Sequence, residues 1–206
     1  MSVSAVARSP IAPVAPVAVV DGWEVSTRRS NASLQLTDLT WLAKVAVTAD
    51  ANGVFTEGHQ TPFRTARRLS ADVVEIGSDP GGWLVIGPVG SAAGIAERLL
   101  AETAHVAEMV TVIDLTHGRA LLRLSGEHGV GVLAKLCAVD LDSSVTPNLA
   151  AFRSSVAGLV TDVVRDDLAD GTRSYVLHCE RSSGQHLFDC VLDAGVEFGI
   201  DVAGPQ

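Results

Sequence analysis

The sequence predicts an α+β fold: two related strand-rich lobes with packed helices, preceded by an extended N-terminal arm. Three observations predict it. Short runs of branched residues between turn clusters read as strands. Two stretches, Ser91–Glu102 and Ser183–Ala194, carry apolar residues at helical spacing. The segment around Trp83 also registers without a gap on the segment around Tyr175, 92 positions later. Trp83 falls on Tyr175, Ser91 on Ser183, Leu99 on Val191 and Leu100 on Leu192. Residues 1–20 are therefore assigned to the arm. Residues 21–206 are assigned to one domain with lobes at about 21–108 and 109–206.

The arm reads MSVSAVARSPIAPVAPVAVV. Pro10, Pro13 and Pro16 forbid a helix and favour extended chain. It is nevertheless apolar, with Ile11, Val14, Val17, Val19 and Val20. Two readings are open: a flexible tail, or an arm lying in a groove of another subunit. After it, Thr37–Lys44 reads as a strand end or short helix, Val45–Thr48 as a strand and Asp50–Gly53 as a turn. Val73–Ile76 and Trp83–Gly87 read as strands around the turn 78–82. In the helix that follows, Ile95, Leu99 and Leu100 form the buried side, and Ser91 is placed to accept an N-terminal N–H.

The best-formed unit is Thr111–Leu141. Thr111–Leu115 and Arg119–Leu124 read as strands around the polar turn Thr116-His117-Gly118, and Ser125-Gly126 ends the second. A helix then carries Val130, Leu133, Leu136 and Cys137 along one face. Asn148–Phe152 leads into a strand over Ser154–Val164. Arg165–Gly171 is a charged turn and Tyr175–Cys179 a strand. Leu187, Val191 and Leu192 are the expected buried side of the last helix.

Of the 206 residues, 47% are hydrophobic and only 19% charged, and the net charge is −9. No basic run exceeds two residues, which argues against a nucleic-acid partner. Cys137, Cys179 and Cys190 are an odd set without a CxxC, as expected in a reducing compartment. No apolar segment nears the ~18 residues of a membrane span, and the prolines interrupt any signal-peptide core. A cytoplasmic location without membrane association is the expectation.

Reactive constellations are hard to find. Gly87, Gly90 and Gly94 follow a strand and precede a helix, but their spacing is neither GxGxxG nor a P-loop. His178 and Cys179 are strand neighbours pointing to opposite faces, so at most one can join His186 and Cys190, and the spacing matches no usual zinc site. There is no GxSxG. No catalytic, cofactor-binding or metal-binding residue is assigned. The candidate partner-facing residues are Pro10, Pro13 and Pro16 of the arm, the basic group Arg64, Arg67 and Arg68, and Arg119 with Arg123. The last two share a strand face, expected to be an outer face meeting carboxylates or a partner, or an ordinary solvated face; the Arg64 group equally reads as a solvated face or an interface with an acidic partner.

The segment DLTHGRALLRLSGEHGVGVLAKLCAVDL resembles the gamma subunit of heterotetrameric sarcosine oxidase. The likeness rests on Asp114, Arg119, Leu122, Leu124, Ser125-Gly126, Leu133-Ala134-Lys135, Cys137 and Asp140-Leu141. It continues through Asp193-Ala194 and Glu197-Phe198-Gly199, with Arg8-Ser9-Pro10 and Gly82-Trp83-Leu84-Val85 upstream. The resemblance implies a fold similar to the folate-binding domain of the glycine-cleavage T-protein, the aminomethyltransferase. It implies a chain without catalytic residues of its own, in a heterotetramer with alpha, beta and delta subunits. That complex demethylates sarcosine to glycine with O2, giving hydrogen peroxide and formaldehyde or methylenetetrahydrofolate. FAD, FMN, NAD, tetrahydrofolate and zinc would lie in the other subunits. The alternative reading is a stand-alone tetrahydrofolate-binding protein of the aminomethyltransferase type.

Overall fold

Among the described residues the chain forms fourteen strands and four α-helices. The computed structural model describes residues 5–205. In order they are β1 (Ala7–Arg8), β2 (Val17–Val20), β3 (Trp23–Ser26), β4 (Gln35–Asp38), β5 (Ala43–Thr48), α1 (Val54–Gly58), β6 (Ala66–Arg68), β7 (Val74–Asp79), β8 (Gly82–Gly87) and α2 (Ala92–Thr103). There follow β9 (Thr111–Asp114), β10 (Arg119–Ser125), α3 (Gly129–Leu136), β11 (Ala151–Val156), β12 (Leu159–Arg165), β13 (Ser174–Glu180), α4 (Gly184–Gly195) and β14 (Asp201–Val202). The strands form a three-stranded sheet β1-β3-β2, a six-stranded sheet β11-β12-β13-β10-β4-β14 and a five-stranded sheet β6-β7-β8-β5-β9.

The two larger sheets stack face to face and each carries helices on its outer side. Between them lie Ala66, Ile76 and Leu84 from one sheet and Leu121, Ala151, Val164 and Val176 from the other. Outside the five-stranded sheet, Ala92, Ile95 and Leu99 of α2 cover Val45, Val47, Trp83 and Val85. Outside the six-stranded sheet, Val132 and Leu133 of α3 and Leu187, Phe188 and Val191 of α4 cover Leu122, Leu124, Tyr175 and Leu177. Strand side chains thus alternate between a helix-covered core and a sheet-to-sheet core.

The related strands and helices occupy equivalent places: β8 and α2 in one half, β13 and α4 in the other. The boundary between halves differs from the expected 108/109. Thr111–Leu115 and Arg119–Leu124 do not pair as a hairpin. β9 closes the edge of the five-stranded sheet against β5, whereas β10 pairs with β13 and β4. β4, from the first half, sits in the six-stranded sheet. Each half therefore gives its first strand to the other half's sheet.

The exchange is made by one tripeptide used twice, Asp38-Leu39-Thr40 and Asp114-Leu115-Thr116. In each, the aspartate carboxylate accepts the threonine N–H, at 2.9 and 2.8 Å. The threonine Oγ1 then accepts an amide from the opposite half: Leu121 N–H to Thr40 and Lys44 N–H to Thr116, both at 3.1 Å. Leu39 N–H donates to Leu121 O and Leu115 N–H to Lys44 O, both at 2.8 Å. At another corner an antiparallel bridge joins Thr65 to Ala150. It is flanked by Ala66 N–H to Leu149 O at 2.7 Å and Ala151 N–H to Arg64 O at 2.9 Å. Arg64 and Leu149 are both left-handed there, with φ of 69° and 67°.

Several local expectations change. Ser154–Val164 is not one strand but the hairpin β11–β12, turned at Ala157-Gly158 with both φ positive. Ser91 does not accept an N-terminal N–H; its hydroxyl donates to Pro88 O at 2.7 Å. Leu100 is exposed rather than buried; the buried stripe of α2 is Ala92, Ile95 and Leu99. Leu192 is half-buried, and Phe188 does more of the covering. Val132 joins Leu133 on the inner face of α3, leaving Val130, Leu136 and Cys137 half-buried.

The arm is neither a free tail nor wholly committed to another chain. Its first four residues lie outside the described residues. Beyond them, β1 pairs in parallel and β2 antiparallel with β3. Ile11 is 1% exposed and belongs to the core under α3 and α4. Pro10 lies against α4 at Gly184, where a Cβ would meet Pro10 Cγ at 2.9 Å and Ala120 Cβ at 2.7 Å. Pro13 and Pro16 remain exposed.

The paired threonines supply a test of the exchange. Thr40→Val and Thr116→Val each keep side-chain volume but leave a buried strand amide without its acceptor. Each is expected to lower unfolding free energy by about 1–3 kcal/mol, read as a lower urea midpoint at unchanged slope.

Candidate functional site

The ends of the two stacked sheets do not close equally. At one side a cleft of about 850 Å³ opens between them, lined by Gln35, Thr37, Trp41, Arg68, Arg123 and Asp166 among others. Its apolar floor, with Leu42, Val74, Ile86 and Val176, continues into a gap of about 30 Å³ between the sheets. Strand alternation places Arg119, Leu121 and Arg123 on the sheet-to-sheet face of β10, not on an outer face as expected.

Asp166, with its side chain 4% exposed, holds this cleft together. One carboxylate oxygen accepts from Arg68 of β6, and the other from Arg123 Nη2 at 2.7 Å. Arg123 Nη1 also donates to Asp166 O at 3.0 Å and Ser174 Oγ at 2.9 Å. Arg68 thus ties the five-stranded sheet to the end of β12. At the opposite side Arg153 of β11 reaches Asp79 at 2.8 Å and Asp162 at 2.7 Å, tying the six-stranded sheet back to β7. There the space is filled: His178 Nδ1 lies 3.3 Å from Asp162, and burial holds the imidazole below its ordinary pKa.

A second cleft, about 530 Å³, lies between α1 and α2 and is lined by Phe55, His59, Gln60, Arg67, Glu75, Arg98 and Leu99 among others. It occupies the region where, in the other half, α3 packs on α4. Glu75, 2% exposed, lies at its base. Burial would raise its pKa, but His59 at 3.2 Å and hydrogen bonds from Thr61 and Arg67 outweigh that and hold it at about 2. The His59 ring lies against Trp83, tilted by 40° with ring centroids 4.0 Å apart, and Trp83 Nε1 donates to Thr61 O at 2.8 Å.

The candidate arginines are thus dispersed. Arg67 serves Glu75, Arg68 and Arg123 share Asp166, and Arg119 pairs with Glu180 across β10–β13. Arg64 is exposed and makes no ion pair among the described residues. Pro10, Pro13 and Pro16 lie along the arm, away from these clusters. Sequence reasoning missed Glu75, His59 and Asp166; an isolated acid in a strand run, as in Val73-Val74-Glu75-Ile76, is the only signal that marks Glu75. His178 and Cys179 do face opposite sides of β13, and burial pushes the Cys179 thiol up to about 11. His186 and Cys190 meet alone at 3.6 Å on α4. Among the described residues no three His, Cys, Asp or Glu side chains are grouped to hold a metal. No helix there is long and apolar enough to cross a membrane. Neither cleft sets an activated nucleophile beside a base. Both offer shaped, polar-edged space, which suits binding.

The architecture is shared with known proteins. One chain of the heterotetrameric sarcosine oxidase of Corynebacterium sp. U-96, in complex with pyrrole 2-carboxylate, superposes with a TM-score of 0.70 at 17% identity. The match covers 82% of this chain and 87% of that one. The glycine cleavage system aminomethyltransferase T of Bartonella henselae superposes with a TM-score of 0.67 at 14% identity, over 91% of this chain and 55% of that one. An aminomethyltransferase of Bacillus velezensis is 31% identical over 114 residues, 55% of this chain but 31% of that protein. This chain therefore matches less than a third of that relative's length. No family model matches the sequence. The α+β fold is that of the aminomethyltransferase-like chains, as the residue-level resemblance implied.

Two measurements probe the ion pairs. Arg123→Met leaves buried Asp166 with Arg68 alone and is expected to cost about 3–5 kcal/mol. Arg68→Met costs less, because Arg68 is 42% exposed. Glu75 has a folded pKa below its ordinary value, so its stabilising contribution is complete above about pH 4.5 and is lost as pH falls towards 2. The stability gap between wild type and Glu75→Gln should narrow by about 3 kcal/mol between pH 6 and pH 2.5, followed by urea unfolding.

Proposed function

We propose that this chain is a non-catalytic subunit of a sarcosine-oxidase-type heterotetramer, the role of the gamma subunit. The observation that carries the reading is the fold: one chain of a heterotetrameric sarcosine oxidase superposes on this chain with a TM-score of 0.70, over 82% of this chain and 87% of that one. The disposition of charge supports the same reading. The cluster arginines that could meet a substrate, Arg67, Arg68 and Arg123, are taken up by carboxylates of this chain.

On this reading the chain acts by support. It buries surface against the alpha subunit, and the reaction, the flavins, NAD, the folate and the zinc belong to the alpha, beta and delta subunits. The complex would oxidatively demethylate sarcosine or a related N-methyl amine with O2, and would work in the cytoplasm. A stable interface of this kind buries more than ~1,200 Å² in total.

One observation favours a second reading, a tetrahydrofolate-binding protein. The cleft between the sheets has the size of small-ligand sites. Trp41 lines it, and the Trp41 Nε1 donor has no protein partner.

Co-expression separates the two. Alpha, beta and delta subunits produced without this chain are expected to give a less stable, lower-yield oxidase. Equal stability and equal activity in its absence would overturn the support role. In parallel, titration of the isolated chain with tetrahydrofolate is expected to show no saturable binding. Saturable binding abolished by Trp41→Phe would favour the second reading.

A further inference from the structure

Among the described residues, the small sheet has no strand beyond β2. Its order is β1-β3-β2, so β2 has a neighbour on one side only. The hairpin between β2 and β3 turns at Asp21-Gly22, both with positive φ. Such a turn closes on the hydrogen-bonded pair Val20–Trp23, and antiparallel pairing then alternates. Ala18–Val25 is the next bonded pair, and Thr27 N–H donates to Pro16 O at 2.8 Å at the far end. The N–H and C=O groups of Val17 and Val19 consequently point to the open edge.

That edge is short and follows Pro16, two of the devices that protect exposed strands, but it carries no lysine, no inward-pointing charge and no bulge. β2 reads Val-Ala-Val-Val, all four residues exposed, with Val19 at 59%. The nearby Arg8 and Glu24 neutralise each other at 2.9 Å. The exposed Val6, Pro13 and Pro16 extend the apolar surface along the arm.

We infer that β2 is a docking edge onto which a larger partner subunit adds an extended, uncharged, apolar segment as a fourth strand. This rests on the reading of the chain as a subunit. A second copy of this chain is the weaker occupant. Four residues give about 13 Å of edge, and pairing of two such edges falls far short of the ~1,200 Å² of a free-standing dimer. So short an edge suits a contact that adds to a larger interface, with backbone hydrogen bonds fixing register and Val17 and Val19 selecting apolar neighbours.

The geometry supplies a selective variant. Val19 N–H is outside the β2–β3 ladder, so Val19→Pro keeps that ladder and removes a donor from the open edge. Val19→Lys leaves the backbone intact and places a charge on the edge. The test compares wild type, V19P and V19K for thermal unfolding alone and for assembly with co-expressed alpha, beta and delta subunits. It also follows amide exchange of Val17 and Val19, free and assembled. Both variants are expected to fold as stably as wild type, yet assemble at least about tenfold more weakly, a loss of about 1.4 kcal/mol. The two valine amides should exchange freely in the isolated chain and become protected in the complex. A wild-type complex that forms equally well with V19P and V19K, with both amides still exchanging, overturns the docking edge and leaves the subunit reading standing. No complex with the wild-type chain overturns both. Protection of these amides by self-association of the isolated chain assigns the edge to a second copy and overturns the partner segment.

Discussion

The structure depends on a reciprocal exchange. Thr40 from the first half accepts the Leu121 amide at the head of the second sheet, and Thr116 accepts the Lys44 amide at the head of the first. Because each sheet takes a strand from the other half, neither half has a complete sheet alone. The Thr65–Ala150 bridge fastens a second corner. Arg68 to Asp166 and Arg153 to Asp79 then brace the two sides, the first open as a cleft and the second filled. These contacts fix the spacing of the sheets, and the apolar side chains between them fill what that spacing allows.

Departures from the near-symmetry create the interesting places. Ile86 and Val74 line the open cleft, whereas His178 and Asp162 occupy the corresponding positions opposite and fill them with polar contacts. Lys44 stands where the other half has Leu121. It is fully buried, its Nζ donates to Thr40 O at 2.6 Å and Leu42 O at 2.7 Å, and burial lowers it to about 8. Most charged groups inside this protein stabilise strand ends and sheet contacts.

Much of the architecture was legible because it is periodic. The helices α2 and α4 and the strands before them could be read from apolar spacing, and the shift from Trp83 to Tyr175 set them in register. The exchange was not legible. Asp-Leu-Thr is a short motif, and the loop after α3 is longer than its counterpart after α1, so the two copies of the tripeptide are not 92 positions apart. Partner choice between strands is a tertiary decision that alternation does not encode. Asp21-Gly22 does encode a hairpin, and it marks the arm as folded; the neighbouring prolines masked that signal. The arginines read as facing a partner, yet Arg67, Arg68, Arg119 and Arg123 pair with carboxylates of this chain. Their partners, Asp166, Glu75 and Glu180, come from distant segments or adjacent strands of the same chain, which a linear reading does not bring together.

The outer layers differ in kind. Over the six-stranded sheet, α3 and α4 are fastened by buried Val132, Leu133, Leu187 and Val191. Over one end of the five-stranded sheet, α1 has no buried residue. It is fastened by the Glu108 carboxylate, which accepts Val54 N–H at 3.1 Å and Phe55 N–H at 2.7 Å, by His59 beside Glu75, and by the aromatic contacts of Phe55 and His59 with Trp83. Apolar surface holds α3, α4 and α2, and that hold survives changes of acid and salt. The α1 corner is latched by charge and aromatic contact, so that ionic conditions set how readily that corner opens while the rest of the molecule stays shut.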